Sequence, residues 1–585
     1  MNPENKKYIL ENRNVKSVKD IAKYLHLKEK AVRRLLEKET VKGGGKVSEN
    51  KVESQSRFGN LIPILLIIIL AFVGYGNSLG NSFVWDDMDL IAKNSSIESF
   101  SNIAYMFKSD LLQHAKLQTG YYRPIQLISY MVDHFLWGLQ PFGYHMTSLL
   151  LQVICAILVF YLCFFVTKKR LKSLFVAAVF CIHPAFVPIV GYIAGRADLL
   201  GFLFSIVTIY LVLVHSRRGG KAIALWVALF FYILAILSKE YYLFTPFFVI
   251  LYLFIYRDEI KFSLSMKIFI ASMVLAALAY IVFRGTMLNL HQKMQTLESV
   301  PFSDRAQVFP YILTGYVGTL LFPFNLVMNK KLIYDSLSEP RFLFSYIVPL
   351  LIGLSIYYFY RARQKEKCFF LSWFILGLIP VSNLFIELKF FSADHWAYMA
   401  SIGFFGFISL SIDGFAKWFY SERVFRKIKL FCAIILVFVF TCLAIKENRY
   451  WKNEDTLFTK IFEKNPDSAR SKFNMAVIYL RKNDREKALE LLSGAIDGNP
   501  VAPAEYYDRR GSLYRELGDL KKAVADLEKA VKISPRISTY HNHLGCAYAE
   551  LGMHDKAVEE WQEAVKIDPN DELARKNLNN IAVNT

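Results

Sequence analysis

Residues 146–166 read MTSLLLQVICAILVFYLCFFV, an apolar stretch of the length that carries one helix across a bilayer core. Gly143-Tyr144-His145 stands before it and Lys168-Lys169-Arg170 after it, so one end carries a polar motif and the other a cation cluster. Similar runs lie near 58–76, 174–193, 198–214, 222–238, 242–256, 267–283, 342–360, 368–385, 396–416 and 430–446. With the first, they give about 11 candidate spans. The fold class expected is all-α, a polytopic helical membrane protein.

Composition agrees. A chain of 585 residues that is 54% hydrophobic and 15% aromatic is too apolar for a string of soluble domains. The net charge of +20 follows from Lys and Arg gathered in cytoplasmic loops, so nucleic acid is not expected as a partner. Six of the seven cysteines lie in or beside apolar runs, and no disulfide or zinc spacing is present. The polar stretch 1–57 places the first apolar run too far in for a cleaved leader, and that run is expected to act as a signal anchor.

Residues 1–40 resemble a cytosolic helix-turn-helix, with Ser17 as a cap and Ala31, Leu35 and Leu36 on one side of the second helix. Residues 41–57, with Gly43-Gly44-Gly45 and scattered lysines, read as a flexible basic linker. The region 58–446 forms the membrane domain. Basic clusters at Lys168-Lys169-Arg170, Arg217-Arg218, Arg361 to Lys367 and Arg423 to Lys429 belong in the cytoplasm with the N-terminus. The loop 77–145, Arg196-Ala197-Asp198 and Lys239-Glu240 then fall on the extracytoplasmic side. The segment 308–326, broken by Pro310 and Pro323, is expected to be re-entrant or interfacial, and the tail beyond 447 emerges outside.

That tail repeats with a period of 34. Gly511, Tyr514, Gly518, Ala523, Leu527, Ala530 and Pro535 recur as Gly545, Tyr548, Gly552, Ala557, Trp561, Ala564 and Pro569. These are tetratricopeptide repeats, in units near 469–502, 504–537 and 538–571, with Phe458 and Pro466 as the remains of half a repeat. Stacked units form a solenoid whose concave face suits an extended peptide, and an acceptor protein is the partner expected there.

Chemistry gathers outside. In Phe83-Val84-Trp85-Asp86-Asp87 a carboxylate near an apolar wall can act as a general base, and Asp86 is favoured over Asp87, which would orient it or hold a cation. Trp85 and Tyr122 can stack on a sugar, the alternative being an interfacial aromatic belt. Arg123, Arg196 and Lys239 can grip a lipid-linked phosphate or can pair structurally with Asp198 or Glu240. His145 and His183 sit at helix ends, where structural roles are favoured over substrate contact. No pair has metal-ligand spacing and no nucleotide loop occurs. A divalent cation is not indicated.

These motifs, with Tyr122-Arg123-Pro124, Gly143-Tyr144-His145, His183-Pro184, Gly195-Arg196-Ala197-Asp198, Lys239-Glu240 and the repeats, resemble the transmembrane and tetratricopeptide-repeat-containing O-mannosyltransferases of the GT-C superfamily. The resemblance implies a GT-C-like fold and a polyprenyl-phosphate sugar donor. It also implies transfer to protein hydroxyls with inversion, the repeats presenting the acceptor. Mannose is the sugar implied, although Asp394-His395-Trp396 departs from the expected late motif and the helical head is foreign to the family. A bacterial inner membrane and the endoplasmic reticulum both fit. Two alternatives stay open: the same donor chemistry on a lipid or envelope glycan, and a non-catalytic membrane-anchored scaffold.

Overall fold

The computed structural model describes residues 61–113, 120–219, 221–260, 262–287, 301–326, 340–385, 388, 392–414, 421–499 and 501–584, with a few isolated positions before them. The chain divides into two compact units, 1–62 and Pro63–Thr585. The expected helix-turn-helix and linker lie almost wholly outside the described residues.

Counting helices of ten or more residues, the membrane domain contains α1 (Leu61–Tyr75), α2 (Pro124–Trp137), α3 (Pro141–Thr167), α4 (Arg170–Ile182), α5 (Arg196–Arg218), α6 (Ile223–Ser238), α7 (Thr245–Ile255), α8 (Leu264–Met287), α9 (Phe302–Leu321), α10 (Ile347–Arg361), α11 (Lys365–Leu378), α12 (Tyr398–Ser411) and α13 (Glu422–Asn448). Among the described residues seven helices are long and apolar enough to cross a membrane, and α4 with Pro184–Val190 forms a pair bent by 48°, the shape of a broken span or a re-entrant loop. Shorter apolar helices occupy Ile223–Ser238 and Glu240–Ile255, and α11 covers the run expected at 368–385. Each apolar run read from the sequence is therefore helical over most of its described length, with breaks at His183 and beyond Val381.

Local chemistry fixes the helix ends. Pro141 opens α3 and Lys168, in the left-handed region at φ 56°, closes it. Asp198 sits in the first turn of α5 and Arg217 and Arg218 in its last, matching the helix dipole at both ends. Inside, α3, α4, α5 and α12 meet at an aromatic knot in which Tyr398 lies 4.5 Å from Phe180 and 4.8 Å from Phe202. At Gly403 a Cβ would stand 2.4 Å from the Phe370 carbonyl, so only glycine lets α12 approach α11 this closely. Outside, Leu65, Ile69 and Val73 of α1 and Phe431, Ile434 and Phe438 of α13 are exposed, a surface fit for lipid.

The two ends of the bundle differ in charge. At one end Lys172 and Lys429 share Asp413 at 2.5 and 2.6 Å, and Lys365 meets Glu259 at 2.9 Å. The other end carries Asp86, Asp87, Asp198, Lys239 and Glu240. Helix α9 lies along this second end: Arg305 near its start donates to the Asn383 carbonyl (3.4 Å), and Thr319 near its finish donates to Asp394 (2.7 Å). The expected break at Pro310 does not occur. Pro310 is buried inside a continuous helix, where neighbouring helices tolerate the single missing N–H, and Pro323 falls beyond the helix end.

The tail begins with α14 (Glu454–Lys464), capped by Asn453 and Thr456 bonding reciprocally. It continues as the pairs α15 (Ala469–Arg481) with α16 (Arg485–Asp497), α17 (Ala504–Glu516) with α18 (Leu520–Ile533), and α19 (Ser538–Glu550) with α20 (His554–Ile567), closed by α21 (Glu572–Asn584). Asn483, Gly518 and Gly552 take positive φ at equivalent turns, and Ala488, Ala523 and Ala557 are fully buried where paired helices touch. The solenoid grows from the end of the bundle that bears Asp86: Asn448 donates to Asn77 (2.9 Å), and the Ser82 N–H donates to the Lys452 carbonyl (2.9 Å).

Candidate active site

Val84 to Met88 form a tight turn, closed by Asp87 N–H to the Val84 carbonyl (3.0 Å) and Met88 N–H to the Trp85 carbonyl (3.1 Å). Trp85 occupies the left-handed region at φ 53°, a conformation that costs a bulky residue about 1–3 kcal/mol and is held by its surroundings. The turn points its two acids in different directions. Asp87 is sealed from solvent and accepts from the backbone N–H groups of Ala194 (2.8 Å) and Val84 (3.2 Å). Burial pushes its pKa up to about 8, against the pull of those donors and of Arg196. Asp86 is exposed, and desolvation by the surrounding side chains raises its pKa while Tyr192 and Arg470 pull it back down.

Three ion pairs surround the turn. Arg123 grips Glu240 with two parallel hydrogen bonds, Nε to Oε2 at 3.0 Å and Nη2 to Oε1 at 2.7 Å. Lys239 meets both oxygens of Asp198 at 2.7 and 2.6 Å. Arg196 pairs with Asp133 at 2.5 Å and donates to the Tyr144 carbonyl (2.7 Å), Ser148 (3.3 Å) and Ser129 (3.4 Å). Its guanidinium is fully buried between Tyr130 and Tyr144, so it braces the loop and is closed to substrate. Structural pairing of Arg196 with Asp198 or Glu240 is replaced by Asp133, because those two acids are taken by Lys239 and Arg123.

Tyr122 is only 3% exposed, its hydroxyl donating to the Phe107 carbonyl (2.9 Å) and its ring lying against Phe283, so the structure gives it no face for a sugar. His183 is buried among Phe186, Phe405 and Phe440, with one ring nitrogen 3.2 Å from the Leu320 carbonyl and the other accepting from Ala185 N–H. His145 is buried beside the Asn81 and Ser82 backbone. Trp85, Asp86, Asp198, Lys239, Glu240 and Arg123 thus gather near open space, whereas Tyr122, His145, His183, Arg196 and Asp87 lie in its supporting wall.

Several neighbours complete the site, and of these only His395 had been marked in the sequence, within Asp394-His395-Trp396. Arg284, at the end of α8, donates to the Gly120 carbonyl (2.8 Å) and acts on Glu240. His395 of the late motif lies beside Asp198 and Lys239. Asp133 could have been found as a lone acid in an apolar amphipathic helix. Arg470 of α15 sits over Trp85, 5.1 Å from the ring, at a repeat position with no local mark. Among the described residues no three His, Cys, Asp or Glu side chains come together as a metal site.

Two repeat families match the tail, described as TPR repeat over residues 511–552 and as tetratricopeptide repeat over 538–571. Protein O-mannosyl-transferase TMTC3 of Homo sapiens is 23% identical over 518 residues, 82% of this chain and 56% of its own length. The chain is similar to the protein O-mannosyl-transferases. A second O-mannosyl-transferase of Homo sapiens, TMTC1, is 24% identical over 82% of this chain and 59% of its own length. The chain therefore spans little more than half of the O-mannosyl-transferases it matches. The oligosaccharyltransferase of Archaeoglobus fulgidus, solved with a tethered acceptor peptide, is 13% identical and covers 69% of this chain and 57% of its own, with a TM-score of 0.40.

Proposed function

We propose that this protein transfers a sugar, mannose by analogy with its homologues, from a polyprenyl-phosphate donor to hydroxyl groups of proteins at the extracytoplasmic face. The observation that carries the reading is the division of labour between adjacent acids: Asp87 is buried and fixed by two backbone donors, while Asp86 is exposed beside Arg470 of the first repeat. Asp86 accepts the proton of the acceptor hydroxyl. The hydroxyl oxygen attacks the anomeric carbon, the bond from that carbon to the phosphate oxygen breaks, and the polyprenyl phosphate leaves with the electron pair from the opposite face. Lys239, Arg123 and Arg284 form the cationic side of the site and are placed to neutralise the leaving phosphate, while His395, held neutral by burial, can donate a hydrogen bond to it. Asp198 and Glu240 hold Lys239 and Arg123 in place for that task.

The orientation follows from charge: the end carrying Lys172, Arg217, Lys365 and Lys429 lies in the cytoplasm with the N-terminus, and the Asp86 end with the repeats lies outside. The test is transfer of labelled sugar from polyprenyl-phosphate donors by the purified protein. Asp86→Asn should lower the rate by roughly 10²–10⁴-fold with folding intact. Wild-type turnover unaffected by that change would reject the assignment.

A further inference from the structure

Trp85 is held from three sides by distant parts of the chain. Tyr192 stacks on it at 6.2 Å, Phe458 of α14 meets it edge-on at 6.4 Å, and the Arg470 guanidinium lies 5.1 Å from its ring. Arg470 is exposed, and among the described residues no hydrogen bond or ion pair occupies its N–H donors. Arg470 also acts on Asp86 on one side and on Glu505 of the next repeat on the other. Beyond it the inner helices present Phe473 stacked on Tyr506 at 4.3 Å, then Asp508 joined to His543 at 2.7 Å. These residues follow one another along the first helices of successive repeats, and Arg470 stands at the end nearest the candidate base.

Resting on the function proposed above, we infer that Arg470 and Trp85 form the acceptor subsite, the guanidinium donating to a backbone carbonyl of an extended polypeptide beside the hydroxyl presented to Asp86. Free guanidinium donors above an aromatic platform suit a peptide carbonyl, which offers an acceptor regardless of side chain. The active site is then shared between the membrane domain and the first repeat. Arg470 has a second effect: its charge lowers the pKa of Asp86, keeping the base ionised to lower pH.

The test uses the full chain in lipid nanodiscs with synthetic extended peptides rich in Ser and Thr, measuring peptide affinity and sugar transfer separately. Arg470→Gln should weaken peptide binding about tenfold, the loss of one charge-assisted hydrogen bond, and leave binding of polyprenyl phosphate unchanged. It should also move the acid limb of the rate profile to higher pH. Arg470→Lys should restore the limb and recover part of the affinity. Wild-type affinity in Arg470→Gln, or no peptide binding by the wild type, would overturn the subsite. Peptide binding that depends on Arg470, without any sugar transfer, would instead reject the proposed reaction and leave the subsite standing.

Discussion

Arg196 and Asp133 form a 2.5 Å ion pair with side-chain exposures of 0% and 2%, joining the start of α5 to α2 beneath the acidic turn. A pair so deeply buried is costly to break because the surviving charge is left without a partner. Asp133→Asn and Arg196→Met should each destabilise the protein by about 3–5 kcal/mol, and the double variant by less than the sum. Thermal unfolding in detergent reads this directly, and additive losses would refute the coupling.

Asp87 sets a dependence of stability on pH. Its folded pKa of about 8 lies above its ordinary value of 3.8, so the folded chain holds a proton that the unfolded chain releases. The contribution is complete below the ordinary value and is lost as pH rises through about 8. Wild-type melting temperature should therefore gain, from this group, a downward slope between those values. Asp87→Asn should flatten the slope, as melting curves across that range would show.

The proposed reaction has Lys239, held by both oxygens of Asp198, meet the leaving phosphate. Lys239→Met should leave Asp198 unpaired, raise the KM for the polyprenyl donor and lower the turnover number by roughly tenfold to a hundredfold. Steady-state kinetics with donor and acceptor varied separately would check this. An effect confined to the acceptor KM would move Lys239 to the other substrate.

Gly191 controls how the repeats sit. A Cβ there would stand 2.1 Å from the Asn448 side-chain oxygen, and Asn448 is the residue that donates to Asn77. Gly191→Ala should displace Asn448, loosen the joint around 448–453 and lower transfer while the helices remain folded. Limited proteolysis should then cut the joint faster than in the wild type, and equal rates would show that the contact is dispensable.

Much of this was legible in the sequence because lipid demands it. Charged residues at the ends of apolar runs, such as Asp86, Arg123 and Lys239, stand out against their neighbours, and the helices around Ala523 and Ala557 repeat in register. Which charge pairs with which is decided by helix packing, so Asp133 as the partner of Arg196 was hidden until α2 and α5 were seen side by side. Pro310 misled for the same reason: a local rule against proline in helices gives way when neighbouring helices support the backbone. Arg470 carries no mark at all, since its role depends on a turn almost four hundred positions earlier.

The link between Asn77 and Asn448 spans 371 residues of chain. At ribosomal rates of about 5–20 residues per second, the later partner is made roughly twenty seconds to over a minute after the earlier one. The acidic turn is thus synthesised early and cannot be clamped until the last span and the first repeats have followed it. Nascent chains arrested before that point would hold the acids without Phe458 and Arg470 against Trp85, so this side of the turn is completed only when the first repeat has been made.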